Sequence, residues 1–120
     1  MPLFRGEKIE IISLRQDVTF CMVWFASFSQ SLCEALEFTR KQSCTLFVLR
    51  NPKNGKDIAF ASDCDYEKEV LYPRNSHFKV LNVFTGVDAR KNVPELGNSK
   101  IEDKLTVIVI AEAPTQVPAL

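Results

Sequence analysis

Helical periodicity occurs once in this chain of 120 residues. Elsewhere the apolar residues fall in short runs rich in β-branched and aromatic side chains, cut apart by turn signals. That pattern excludes a helical bundle and calls for a sheet. Ser31-Leu-Cys-Glu34 is an S-x-x-E capping box, and Leu32, Ala35, Leu36 and Thr39 follow it at helical spacing. Arg40 and Lys41 then supply the positive charge that suits a helix C-terminus. Strands are expected over residues 8–14, behind a tight Phe-Arg-Gly-Glu lead-in, and over 19–28 as one extended run. Others are expected over 45–49, 57–61, 69–72, 77–84 and 104–111. Asn51-Pro-Lys-Asn54-Gly55-Lys56 is a dense turn signal, and residues 85–100 read as loop. With one clear helix and no βαβ alternation, the expected class is α+β, with mostly antiparallel β-sheets in a sandwich.

The length allows one domain, expected over residues 1–111, with 112–120 as a flexible tail that carries two prolines. Hydrophobic residues make up 46% and charged residues 25%, enough to build a core and typical of a soluble globular chain. Fifteen basic and fifteen acidic residues cancel. A duplex-binding surface needs an excess of cations, so nucleic acid is not an expected partner. No apolar run reaches the ~20 residues of a membrane span, and the N-terminus lacks the order of a secretory signal. Cytoplasmic residence is expected, or export by a route that needs no signal peptide.

The four cysteines, Cys21, Cys33, Cys44 and Cys64, form no CxxC pair, and His77 is the one imidazole. No metal site is expected. The thiols are expected to be free and buried as small apolar groups. His77 is expected to be structural or superficial, and Trp24 and Phe25 to lie in the core.

Three short pieces stand apart from this background. They are Phe4-Arg5-Gly6, Phe25-Ala-Ser27-Phe-Ser29 ahead of the helix, and Glu67-Lys-Glu69-Val-Leu at the start of a strand. In this order they resemble the R-S-E class of mono-ADP-ribosyltransferases. That class combines a first-strand Arg, an F-x-S-x-S motif and an E-x-E pair into an NAD site. Ala35 and Phe38 in the helix, and Val70, Leu71, Phe78 and Val80 beyond the acidic pair, also fit the family pattern. The agreement covers roughly residues 4 to 84.

The resemblance implies an NAD-binding sandwich core with few short helices, and a role for each motif residue. Arg5 would pair with the pyrophosphate of NAD through charge-assisted hydrogen bonds. Gly6, lacking a Cβ, would let the backbone approach the nicotinamide amide. Ser27 would orient the catalytic carboxylate, with Ser29 beside it in the cofactor site. Either hydroxyl could instead cap the helix. Phe38 would stack on the nicotinamide ring, although most of the nine phenylalanines must be core.

Glu69 would stabilise the positive charge that develops on the ribose as the nicotinamide bond breaks. Glu67, two residues away and on the same side of an extended chain, would help an acceptor arginine become a nucleophile. The implied activity is transfer of ADP-ribose from NAD to an exposed arginine of an acceptor protein. NAD glycohydrolysis at the same site and a catalytically silent module are the alternatives. The chain departs from the family in having Phe28 where Thr is usual, and Tyr66 directly beside the first glutamate. Only four residues precede Arg5, so the domain is expected to lack most of the family's N-terminal helical lobe. Acceptor, organism and oligomeric state are not legible.

Overall fold

The computed structural model describes residues 2–7, 14–22, 26–40, 45–57 and 69–113. Its centre is a parallel pair of strands, β4 (Thr45–Arg50) and β8 (Thr106–Glu112), with Leu46 beside Val107 and Val48 beside Val109. Both carry uninterrupted apolar runs, Leu-Phe-Val-Leu and Val-Ile-Val-Ile, and all eight of those residues are buried. An unbroken run of this kind marks a strand covered on both faces.

Around this pair lie β1 (Leu3–Glu7), β2 (Thr19–Met22), β3 (Ala26–Ser29), β5 (Lys56–Asp57), β6 (Glu69–Tyr72) and β7 (Ser76–Thr85). The single mixed sheet has the order β2-β7-β8-β4-β1-β3-β6-β5, and every pairing except β4–β8 is antiparallel. The expected α+β class with a mostly antiparallel sheet is therefore what the chain forms. The sheet curls into a half-barrel, because one apolar cluster draws on strands from both ends. Phe28 of β3, Tyr72 of β6 and Phe78 of β7 meet with ring centroids 5.3–5.8 Å apart. Leu3, Phe47, Leu49, Ile108 and Ile110 belong to the same inner cluster. On the outer face Phe4, Leu46, Val48, Val107 and Val109 pack against two helices, α1 (Leu32–Arg40) and α2 (Gly86–Asn92).

Pairing is not uniform along the sheet. All five residues of β1 pair with β4, and all four of β3 pair with β6. Between β1 and β3, among the described residues, Phe4 opposite Ser29 is the one paired position. The sheet is thus two leaves joined at a seam: β2-β7-β8-β4-β1 on one side and β3-β6-β5 on the other.

Several expectations need correction. Phe4-Arg5-Gly6-Glu7 is itself strand β1 rather than a lead-in, since Leu3 and Phe4 are buried and the ladder to β4 runs through the whole segment. Residues 8–13 lie outside the described ones, and Leu14 is not in a strand. The run over 19–28 is two strands, β2 at one end of the sheet and β3 on the far side of the seam. Its aromatic content signalled burial but not a change of strand. Residues 85–100 contain α2 and a 3-10 turn, Pro94–Leu96. With Val87 exposed and charges through its last turn, α2 has no apolar stripe to announce it.

β8 runs to Glu112, and the Ala113 amide still donates to the His77 carbonyl at 2.9 Å, so the tail does not begin at residue 112. Cys21 and Cys33 are free but exposed, not buried. Cys44, Cys64, Trp24 and Phe25 lie outside the described residues.

Candidate active site

The F-x-S-x-S segment becomes β3, and strand alternation sorts its side chains. Ala26 and Phe28 enter the inner cluster, while Ser27 and Ser29 stay half-buried on the other face. Phe28 is fully buried between two serines that point the opposite way. Its side chain thus serves packing, worth about 2–3 kcal/mol of transfer free energy for such a ring. Alternation sorts β6 likewise: Val70 and Tyr72 inward, Glu69 and Leu71 half-buried with the serines.

Cross-strand pairing then sets Phe4, Ser29 and Glu69 in one row, since Phe4 pairs with Ser29 and Ser29 with Glu69. These three side chains leave one face. Arg5, the residue after Phe4, is rooted on the inner face in the row of Leu3 and opposite Phe47. Its guanidinium returns to the seam: Nη1 donates to the Ser27 carbonyl at 2.9 Å, and Nε donates to the Glu7 carboxylate at 2.7 Å. The arginine therefore ties the two leaves together where their backbones no longer pair. Gly6 follows on β1, half-buried and opposite Leu46.

Ser29 works at the start of the helix. The Ser31 amide donates to Ser29 Oγ at 2.9 Å, and that hydroxyl donates to Glu34 Oε2 at 3.3 Å. The Glu34 amide donates to Ser31 Oγ at 3.4 Å. The capping box read from the sequence is present in extended form, with Ser29 standing between Ser31 and Glu34. Capping and a place in the row beside Glu69 are thus combined in one residue.

The structure brings Arg5 to Ser27, and Ser29 beside Glu69. β3 separates Arg5 from Glu69, a span of two inter-strand steps or roughly 10 Å. Glu67 lies outside the described residues, and so does the side chain of Phe38, whose backbone belongs to α1. Glu7 was not among the expected site residues. The signal for it was available, because residues two apart on a strand share a face and Arg-x-Glu therefore places opposite charges together. Among the described residues no group of three or more His, Cys, Asp or Glu could hold a metal ion, and no helix is long and apolar enough to cross a membrane.

The sequence matches no family model and no curated protein. Its fold does match solved structures. Vis toxin, an ADP-ribosyltransferase from Vibrio splendidus, superposes with a TM-score of 0.69 at 18% identity, over 95% of this chain and 48% of that one. The fold is that of the ADP-ribosyltransferases. Exoenzyme S from Pseudomonas aeruginosa, solved with human 14-3-3 protein beta and bound to carba-NAD, gives 0.69 at 18% identity, over 94% of this chain and 48% of the other. The ATR domain of Salmonella SpvB gives 0.65 at 14% identity, over 94% and 62%. The chain spans about half the length of the first two. The seam lies between β1, which carries Arg5, and β3, which carries Ser27 and Ser29 and is paired in turn with Glu69 of β6.

Proposed function

We propose that this chain is an arginine-directed mono-ADP-ribosyltransferase catalytic unit of the R-S-E class, and that NAD lies along the seam. One observation carries the reading: β3 is flanked by Arg5 and Glu69, with its Ser27 bonded to the first and its Ser29 paired to the second. The fold shared with Vis, SpvB and exoenzyme S supports it, as does carba-NAD bound to the last of these. Vis has also been solved with agmatine, a guanidine compound, which supports an arginine-like acceptor.

Arg5 and Glu69 are rooted on opposite faces; because the guanidinium bends back to the Ser27 carbonyl, one ligand would meet both at the seam. There the terminal N–H groups of Arg5 would take the pyrophosphate. Gly6, with no side chain, would leave its backbone open to the nicotinamide amide. Glu69 would stand beside the ribose and stabilise the cationic carbon as nicotinamide leaves. Ser27 would orient that carboxylate, and Ser29 would fix the strand through its helix cap. Phe38 would stack on nicotinamide, and Glu67 would accept the proton of the acceptor guanidinium as it attacks.

Nicotinamide release, measured with and without agmatine, tests the reading. Glu69→Gln should lower release by about 10²–10³-fold while NAD binding changes little, because the amide keeps the shape and loses the charge. Agmatine should become ADP-ribosylated. Release without any labelled agmatine would reassign the chain to NAD glycohydrolysis. Equal rates in wild type and Glu69→Gln would remove Glu69 from the mechanism.

A further inference from the structure

We infer that Glu7 is a positioning residue for the anion-binding arginine, acting on NAD affinity through Arg5 without touching the cofactor; the inference rests on the NAD reading above. Arg5 and Glu7 stand two apart on β1 and so project from the same face. The Nε–Oε1 distance is 2.7 Å, and the side chains are only 29% and 26% exposed. A second anchor, Nη1 to the Ser27 carbonyl, lies across the seam. A long, flexible cation is thereby held at two points on two different strands.

The count of N–H groups gives this arrangement its consequence. A guanidinium has five; Glu7 takes the Nε hydrogen and Ser27 takes one from Nη1. Among the described residues, nothing else takes the second Nη1 hydrogen or the two on Nη2. An anion is then directed to the terminal Nη1/Nη2 fork, not to the Nε side. The geometry of a bidentate phosphate contact is set before the ligand arrives, which reduces the ordering cost of binding. Glu7 also has an opposing effect: its charge partly cancels the attraction of Arg5 for a phosphate. Positioning and charge therefore pull affinity in opposite directions, and two substitutions separate them.

Glu7→Gln keeps an oxygen that accepts from Nε but removes the charge. It should bind NAD about threefold more tightly, because one unfavourable charge about two hydrogen bonds from the phosphates is gone. Glu7→Ala removes the anchor as well and should weaken NAD binding about tenfold, the size of a lost charge-assisted hydrogen bond. Isothermal titration with NAD reads both. In parallel, the Arg5 Nε–H signal in a proton–nitrogen NMR spectrum, assigned by its disappearance in Arg5→Lys, reports the anchor itself. It should be protected from exchange in wild type and Glu7→Gln, and lost in Glu7→Ala.

Equal NAD affinities in wild type and both variants, with wild type binding normally, would overturn the role of Glu7 and leave the NAD reading standing. An Nε–H signal that persists unchanged in Glu7→Ala would overturn it as well. Absence of NAD binding in all three proteins, alongside an anchor signal that behaves as stated, would overturn the NAD reading itself.

Discussion

Arg5 donates to the carbonyl of Ser27 at 2.9 Å across the line where β1 and β3 stop pairing. A side chain thus replaces a backbone rung between the two leaves of the sheet. The same guanidinium is the group proposed to receive the pyrophosphate of NAD. On that proposal, stability of the seam and cofactor binding share one residue.

Arg5→Lys separates these two duties from charge alone. Lysine keeps the positive charge but has no planar fork, so it cannot hold Glu7 and the Ser27 carbonyl in the same geometry. Unfolding in urea should show a loss of about 1–2 kcal/mol with an unchanged m-value, since no more surface is exposed. NAD affinity should fall about tenfold or more. An unaltered urea midpoint would show that the link across the seam carries no net stability.

Gly55 is a second position with a sharp expectation. It lies against β6, where a Cβ would press into the Val70 side chain and come within 2.6 Å of the Tyr72 ring. Val70 and Tyr72 are both in the inner core and have little room to yield. Gly55→Ala should therefore destabilise the fold by about 1–3 kcal/mol. Thermal melting checks this, and an unchanged Tm would mean that the turn moves off β6 without cost.

Tyr72 couples that core to pH. Its hydroxyl is buried near the Glu112 carboxylate without a hydrogen bond of ordinary geometry. Burial first, and the charge of Glu112 second, hold its proton well above the usual 10.0. As pH rises past that ordinary value the unfolded chain loses this proton while the folded chain keeps it, so stability declines from there upward. At lower pH the contribution is fully present. Tyr72→Phe should cost no more than about 1 kcal/mol at neutral pH, because the hydroxyl is unpaired, and should decline less steeply in alkali. Urea midpoints across the alkaline range decide it; parallel curves would place the decline elsewhere.

At the other end of the scale stands Glu95. Arg50 at the end of β4 donates to both its carboxylate oxygens, Nη2 to Oε1 at 2.9 Å and Nε to Oε2, tying β4 to the 3-10 turn. That hydrogen bonding holds the Glu95 carboxyl below the usual 4.5. The stabilisation is present above the unfolded value and is lost as pH falls through the folded one. Glu95→Gln should cost about 1 kcal/mol at neutral pH and remove part of the acid sensitivity. If its acid unfolding curve matches wild type, the pair contributes nothing on folding.

Much of this was legible from the sequence, and the reasons are local. Ser31 and Glu34 announce α1, and the alternation in Glu69–Tyr72 announces β6, because capping and the two-residue period depend only on near neighbours. Arg5, Ser27 and Glu69 could be singled out as candidates in order for the same reason: each depends on its immediate sequence. What could not be read was which strands pair. Residues 19–28 look like one strand, yet β2 and β3 sit five positions apart in the sheet order, with β7, β8, β4 and β1 running between them.

The tertiary structure alone decided the seam. Whether β1 and β3 share a full ladder or a single rung depends on how the curled sheet closes over Phe28, Tyr72 and Phe78, which come from opposite ends of the sheet order. Burial of those rings is non-directional, so their identity forecasts that they will be inside but not which backbones must part to let them meet. The chain by itself supplies a cation, two hydroxyls and a carboxylate. The closing of the half-barrel determines that Arg5 reaches Ser27 and that Glu69 stands beside Ser29.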